Sequence, residues 1–218
     1  DVTKEDVTIT YQAEKDMVYN KAYRTVYRVD AGGNKSIVEG KDGEITLDAQ
    51  GEYNLATEEI FSANENETIA YEIYYVLKDE MGQAVDSTGK TMSFVIDKKV
   101  PEMRIQHNVS SSNLPQESVT YQVTVQEDYY KTEESFKFIV RKEAIDGTID
   151  TKEHVFGQNH WQTTQAITFS EEGKYQVKTV AEDKAGNTVT TDILEFIIDK
   201  SAPVVTVTET GNGVDGIH

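Results

Sequence analysis

The sequence repeats itself once, and this internal repeat constrains the fold more than any other feature. Three segments return later in the chain in the same order, at offsets of 102, 104 and 112 residues: 97–101 at 199–203, 71–79 at 175–183, and 7–12 at 119–124. Only the loops between them differ in length. A tandem duplication explains this pattern. Each copy has about 100 residues, which is enough to bury a hydrophobic core of its own.

Alternation of apolar and polar residues predicts strands. The odd-numbered residues from 119 to 125 are Val, Tyr, Val and Val, and the residues between them are polar. One face of such a strand is apolar and the other is polar. Similar short segments follow, separated by polar turns, and no segment has a convincing helical stripe. This spacing predicts an all-β fold of two tandem antiparallel β-sandwiches.

The repeat also predicts where the domains lie. We place the first domain at residues 1–98, the second at 99–204, and the start of a further repeat or a tail at 205–218. Because only six residues precede Val7, the first strand of the first domain should be short or missing.

A short motif predicts how the last strands of the second copy are connected. In DKAGN at residues 183–187, Asp183 suits the first position of a type I turn and Gly186 suits the fourth. A left-handed glycine there makes the bulged hairpin that joins adjacent antiparallel strands. We therefore expect a hairpin, followed by a final strand over residues 188–198 that ends before Pro203.

These residues resemble those of the bacterial immunoglobulin-like domains found in arrays on Gram-positive surface proteins. The resemblance rests on GKY at 173–175, DKAGN at 183–187, and IDK at 198–200 followed by Pro203. It covers the second copy along its length. It implies that each copy is an immunoglobulin-like sandwich. It also implies that Tyr175 is a corner tyrosine, whose hydroxyl bonds to nearby backbone.

The first copy departs from this pattern at two places. DEMGQ at residues 79–83 stands where the second copy has DKAGN. GEY at 51–53 has the spacing of GKY but lies well upstream of the equivalent strand. The second departure predicts an insertion around residues 54–68.

The resemblance implies an extracellular module at a bacterial cell surface or cell wall, joined to neighbouring immunoglobulin-like repeats. In that family such modules act as spacers, as adhesion modules or as accessory domains beside a larger surface enzyme. The fold alone does not select among these roles.

The charge of the chain excludes some partners. There are 39 acidic and 21 basic residues, a formal net charge of -18. The excess is shared equally, with 20 acidic and 11 basic residues up to Val100 and 19 and 10 after it. Such a field repels nucleic acid and anionic membranes, and it favours solubility or cation binding. No apolar segment is long enough for a membrane span.

The chemistry-bearing residues do not form a catalytic pattern. The chain has no cysteine, which excludes disulfides, cysteine-based zinc sites and a cysteine nucleophile. None of the four histidines, at 107, 154, 160 and 218, stands in the i, i+4 pairing of zinc proteases. There is also no nucleophile elbow and no phosphate-binding glycine loop. We predict a non-enzymatic protein that requires no cofactor.

Calcium is the most serious candidate ligand, because it binds several carboxylate and carbonyl oxygens. The linker after the last strand of the first copy should lie near loops of the second. A low-affinity calcium site is therefore predicted from Asp97, Asp128, Glu182 and Asp183. An acidic cluster that is simply solvated, or that is neutralised by Lys98 and Lys99, is the alternative.

A second candidate ligand is a glycan or a host surface glycoprotein. Trp161, together with His160, lies away from the third strand, where immunoglobulin-like domains usually bury their tryptophan. Trp161 is then either partly exposed, and able to stack on a sugar ring, or a cover for one end of the sandwich. A glycan-binding module is thus the alternative to a spacer.

Overall fold

The computed structural model describes residues 1–14, 21–79, 81–112 and 114–206. These ranges are almost entirely strands and turns, and their one helical element is a 3₁₀ turn, Asp86–Thr88. No helix within them is long and apolar enough to cross a membrane. Of the tail predicted at 205–218, all but the first two residues lie outside the described part of the chain.

Eight strands lie in the first half of the chain and nine in the second half of the described residues. The first eight are β1 Val2–Thr3, β2 Val7–Glu14, β3 Lys21–Val29, β4 Lys35–Thr46, β5 Asp48–Gln50, β6 Asn54–Phe61, β7 Thr68–Lys78 and β8 Lys90–Asp97. The other nine are β9 Glu102–His107, β10 Pro115–Gln116, β11 Val119–Gln126, β12 Phe136–Glu143, β13 Ile149–Phe156, β14 Gln162–Phe169, β15 Gly173–Glu182, β16 Thr188–Thr190 and β17 Leu194–Ile198.

The two halves share the strand order of their larger sheet, whereas their smaller sheets differ in the third strand, which is β5 beside β6 in the first half and β9 beside β11 in the second. In the first, β1-β8-β7-β3-β4 form one sheet and β2-β6-β5 the other. In the second, β10-β17-β15-β12-β13 form one sheet, with β16 beside β15, and β14-β11-β9 form the other. The described pairings are antiparallel except β1 with β8 and β10 with β17, which are parallel. The predicted fold class, two tandem antiparallel β-sandwiches of the immunoglobulin-like kind, is confirmed. The opening strand β1 has 2 residues, and the domain bounds stay a prediction.

Each half buries one hydrophobic core between its sheets. Three aromatic rings from equivalent strands stand at the centre of each core: Phe61, Tyr71 and Phe94 in the first half, and Phe169, Tyr175 and Phe196 in the second. Their ring centroids lie 5.2 to 5.5 Å apart in the first half and 5.1 to 5.2 Å apart in the second. Such ring pairs add packing energy beyond the area that they bury.

The tyrosines of these clusters also anchor backbone. The Tyr175 hydroxyl donates to the Glu171 carbonyl at 2.9 Å, which confirms the predicted corner. The Tyr71 hydroxyl donates to the Ser62 carbonyl at 3.3 Å. A buried tyrosine thus satisfies its polar end and fixes the chain entering the following strand.

The predicted hairpin is present in both copies. In the second copy Gly186 has a φ of 87°, and the Asp183 amide donates to the Asn187 carbonyl at 3.1 Å. In the first copy Gly82 has a φ of 78°, and the Asp79 amide donates to the Gln83 carbonyl at 2.9 Å. Asp79, Gly82 and Gln83 therefore make the same turn contacts as Asp183, Gly186 and Asn187, because the aspartate and the left-handed glycine are the residues that the turn needs.

Two predictions about strands differ from the structure. The strand expected over 188–198 is interrupted between β16 and β17, where the Thr191 hydroxyl accepts the Thr179 amide at 2.9 Å. A side chain there replaces the backbone acceptor of a regular ladder, so β17 resumes pairing farther along β15. The insertion expected at 54–68 is confined to the loop between β6 and β7, because the first part of that range is β6, the counterpart of β14. GEY at 51–53 is the turn that precedes β6.

A charged cluster that sequence patterns did not reveal joins the two sheets of the first half. Glu59 on β6 accepts hydrogen bonds from Arg24 Nε on β3 at 3.1 Å, from Tyr11 on β2 at 2.9 Å and from Lys41 on β4 at 2.6 Å. The Arg24 side chain is only 9% exposed. Three donors hold the pKa of Glu59 below its usual value despite its partial burial.

Replacing Glu59 by glutamine should lower the free energy of unfolding by about 2 to 4 kcal/mol, because it leaves the Arg24 charge without its anion. Urea denaturation monitored by circular dichroism measures the change. Glu58→Gln is the matched control. Glu58 is the exposed neighbour of Glu59, so removing its charge should lower the free energy of unfolding by less than about 0.5 kcal/mol. Equal effects of the two variants would contradict this role for Glu59.

Candidate functional site

Three acidic side chains from both halves of the chain meet where the halves join. Asp97 ends β8, Glu127 follows β11 and Asp183 follows β15. One carboxylate oxygen from each lies within 4.8 Å of the others. We call Asp97, Glu127 and Asp183 the junction cluster. The strands bring the three together from positions far apart in the sequence.

Asp97 is fully buried and only half satisfied. Its Oδ1 accepts from the Thr68 hydroxyl at 2.6 Å and from the Lys99 amide at 3.1 Å. Its Oδ2 is buried and has no hydrogen-bond partner within the described part of the chain. An unpaired buried oxygen is costly, so it requires a physical explanation.

Asp183 is held by the turn that it starts. Its Oδ1 accepts the Asn187 amide at 2.9 Å and its Oδ2 accepts the Asn187 side-chain Nδ2 at 2.8 Å. The same Nδ2 donates across the junction to the backbone carbonyls of Asp97, at 2.8 Å, and Lys99, at 3.2 Å. The hairpin turn of the second half is therefore docked on the linker.

Glu127 completes the cluster from the base of a cavity. Its Oε1 accepts the Tyr129 amide at 2.8 Å, and its backbone amide donates to the Trp161 carbonyl at 2.7 Å. Glu127 is 9% exposed. It lines a cavity of about 140 Å³ together with Lys99, Tyr129 and Trp161. Glu127 is therefore the member of the cluster that lines this cavity.

The repeat supplies internal controls for the burial of the cluster. Asp199, the repeat equivalent of Asp97, accepts the Ser201 amide at 2.9 Å just as Asp97 accepts the Lys99 amide, but Asp199 is exposed. Asp79, the equivalent of Asp183, accepts the turn amide of Gln83 at 2.8 Å but is only partly buried. The local hydrogen bonds thus belong to each repeat, whereas full burial is found at the junction.

The cluster carries more negative charge than its surroundings neutralise. Burial, with repulsion from the neighbouring carboxylates, raises the pKa of Asp97 and raises the pKa of Glu127 to about 7. The two lysines of the linker form their ion pairs elsewhere, Lys98 with Asp6 at 3.1 Å and Lys99 with Glu102 at 3.0 Å. Direct pairing with these lysines therefore does not neutralise the cluster.

The structure brings together two of the four residues proposed for calcium from the sequence. Asp97 and Asp183 meet, but Asp128 is exposed and Glu182 forms an ion pair with Lys131. Glu127 was missed. Its burial could have been predicted from the sequence, because the odd-numbered residues of β11 face the core and Glu127 continues that series.

Trp161 and His160 lie beside this junction. The Trp161 side chain is 48% exposed, and its ring centroid is 6.2 Å from that of His160, which is also exposed. Trp161 therefore forms part of the cavity wall while much of its surface faces solvent.

Comparisons with known proteins find only low similarity. The sequence matches no protein-family model and no curated protein. A tetra-tandem repeat from the extending region of a large adhesion protein aligns with 89% of this chain at 13% identity and a TM-score of 0.36. This chain spans 50% of that structure. The fibronectin(III)-like modules of Clostridium thermocellum CbhA align with 94% of the chain, and 93% of their own, at 12% identity and a TM-score of 0.32. Scores this low carry no argument about function.

The buried carboxylate of Glu127 should make stability depend on pH. Its pKa is raised on folding from 4.5 to about 7, so between these values the folded chain keeps a proton that the unfolded chain has lost. Stability should fall as pH rises through this window. In buffer with a chelator, the free energy of unfolding of Glu127→Gln, relative to that of the parent chain, should therefore be about 1 to 3 kcal/mol higher at pH 8 than at pH 5.

Urea denaturation at the two pH values measures this gain, and Glu117→Gln, at an exposed glutamate, is the control. The facing groups that set the effect are Asp97, Asp128, Asp183 and Lys99. If the free energies of unfolding of Glu127→Gln and the parent chain differ by the same amount at pH 5 and pH 8, Glu127 is not the source of the pH dependence.

Proposed function

We propose that the chain is a non-catalytic spacer module of an exported bacterial surface protein, and that its task is to hold two immunoglobulin-like repeats in one relative orientation. The observation that carries this proposal is the hydrogen bonding of Asn187 across the junction. One side-chain amide binds its own turn and two carbonyls of the linker, so it couples both repeats.

The length and composition of the linker support the same role. Residues 98–101 alone separate β8 from β9. Pro101 fixes one backbone dihedral and biases Val100 towards extended geometry. Lys4 of the first repeat adds a hydrogen bond to the Gly186 carbonyl of the second at 3.1 Å. A short linker with contacts on both sides resists bending.

The surface of the chain suits an extracellular spacer. The formal charge of -18 is spread over both repeats and favours solubility. In this proposal the partners are neighbouring repeats of the same protein, at the cell surface or in the cell wall. Adhesion and service as an accessory module beside an enzyme are roles that the same rigid pair would support.

Removing the Asn187 amide should loosen the junction. Since the chain has no cysteine, spin labels can be placed at exposed Ser36 and Thr151, one on each repeat. Double electron–electron resonance should give a narrow distance distribution for the parent chain and a clearly broader one for Asn187→Ala. The cause is the loss of its hydrogen bonds to Asp97 and Lys99.

Gln83→Ala is the matched control for this experiment. Gln83 occupies the same turn position in the first repeat, and its side chain is exposed, so its removal should leave the distribution unchanged. A parent chain whose distance distribution is already broad, both with chelator and with calcium, would overturn the spacer proposal.

Binding to a glycan or a host glycoprotein is the second candidate function, favoured by the half-exposed Trp161 beside a cavity. If it holds, a glycan array should show reproducible binding that Trp161→Ala abolishes without altering the circular dichroism spectrum. Tyr53→Ala is the control, because Tyr53 is 62% exposed on the other repeat. Binding that persists in Trp161→Ala would remove this site from consideration.

A further inference from the structure

We propose that the junction cluster binds one divalent cation of the hard, oxygen-preferring class, calcium in the first place, and that the ion ties the two repeats together. The inference rests on the proposed spacer function and deepens it, since it names what holds the junction. It also replaces the set of residues that the sequence suggested: Glu127 takes the place of Asp128 and Glu182.

The spacing of the three carboxylates fits one ion. Calcium binds oxygen at about 2.3 to 2.6 Å, so two oxygens bound to the same ion lie up to about 5 Å apart. The cluster oxygens lie within 4.8 Å of one another. Three oxygens at this separation share a point no more than about 2.8 Å from each, so a single ion there needs only a small movement of the side chains of Asp97, Glu127 and Asp183 to reach calcium distances.

The unpaired oxygen of Asp97 points to a ligand independently of this spacing. Asp97 is fully buried, and its Oδ2 has no hydrogen-bond donor within the described part of the chain. Its Oδ1 is already bonded to Thr68 and to the Lys99 amide. A cation at the cluster gives Oδ2 the positive partner that the protein itself does not supply.

The charge of the cluster requires the same kind of partner. Three carboxylates converge, and none of them takes part in an ion pair among the described residues. The nearest lysine of the linker, Lys99, is paired with Glu102. Buried carboxylates at this separation repel one another strongly unless a cation or a proton intervenes.

The donor set selects the class of cation. All three donors are carboxylate oxygens, and neither histidine nor cysteine belongs to the cluster. Zinc and copper favour nitrogen and sulfur ligands, whereas calcium favours oxygen. The adjoining cavity of about 140 Å³ has room for several waters. Calcium keeps six to eight ligands, so water can complete its shell from the Glu127 side.

The site spans the two repeats, which gives it a mechanical consequence. Asp97 belongs to the last strand of the first repeat, while Glu127 and Asp183 belong to loops of the second. An ion bound by all three replaces repulsion across the junction with attraction. It acts beside Asn187, which already joins the same two segments.

Calcium titration of the full chain tests the site directly. Isothermal titration calorimetry should find one calcium ion per chain, with a Kd of about 0.1 to 1 mM, as in other extracellular calcium modules. At 10 mM calcium the melting temperature should rise by about 3 to 6 °C above a sodium chloride control of equal ionic strength. Terbium offers a second readout, since Tyr129 and Trp161 line the cavity and should sensitise its luminescence.

Variants separate the junction cluster from the acidic surface. Asp97→Asn and Glu127→Gln should each weaken calcium binding at least tenfold. Asp128→Asn and Glu182→Gln remove equal charge nearby and should change it less than threefold. Circular dichroism checks that each variant is folded. If Asp97→Asn fails to fold, Glu127→Gln, which keeps the shape of the side chain, carries the test alone. Absence of a calcium effect beyond ionic strength, or equal binding by Glu127→Gln and the parent chain, overturns the site.

The spin-label distances distinguish this failure from failure of the spacer function. A narrow distribution with chelator, together with no calcium binding, rejects the cation site and leaves the spacer proposal intact. Calcium binding that Glu127→Gln abolishes, with a broad distribution at every calcium concentration, supports the site but rejects the rigid spacer. Narrowing of the distribution by calcium in the parent chain, absent from Glu127→Gln, supports both.

Discussion

The junction depends on the hydrogen bonds accepted by Asp183, the aspartate that opens the hairpin turn after β15. Its carboxylate accepts both the backbone and the side-chain nitrogen of Asn187. This fixes the asparagine in the orientation from which its amide reaches Asp97 and Lys99. A turn that each repeat needs for its own hairpin thus also joins one repeat to the next. The hydrogen bonds of the turn therefore position the side chain that makes the contact between the repeats.

Duplication has left two copies of this turn in different surroundings. In the first copy Gln83 occupies the position of Asn187, and its side chain is exposed. The turn survives the change because its backbone bonds come from Asp79 and Gly82. The docking contact belongs to the asparagine of the second copy. The residues that make the turn and the residue that makes the junction contact are therefore different members of the same motif.

What the sequence predicted well was local. Alternation located β11, the aspartate and glycine spacing located the turns, and the Tyr175 corner followed from its resemblance to immunoglobulin-like domains. Each of these depends on neighbouring residues and a fixed geometry. The interruption of the last strand was missed because the Thr191 hydroxyl competes for a backbone amide, which β-propensity does not register.

What the sequence predicted poorly was contact between distant segments. The Arg24 and Glu59 pair links two sheets, and its partners cannot be read from either strand alone. At the junction, two of the four proposed acidic residues lie together in the structure. Glu127 was missed, although the alternation of β11 predicts that its side chain faces inward. The prediction followed loop proximity, whereas the face on which each side chain stands decides which carboxylates meet.

The contact between the repeats has a geometric consequence for assembly. It joins the end of one unit to a different surface of the next, so the two patches are not the same. A head-to-tail contact of this kind is heterologous, and its repetition generates an open array unless the rotation happens to close a ring. The segment DKSAP at 199–203 repeats the linker sequence after the second unit. Asp199 there already holds the Ser201 amide in the local geometry of Asp97. The segment that leaves the second unit thus has the local hydrogen bond that Asp97 makes at the junction, and a contact of the same heterologous kind made there would extend an array rather than close a dimer.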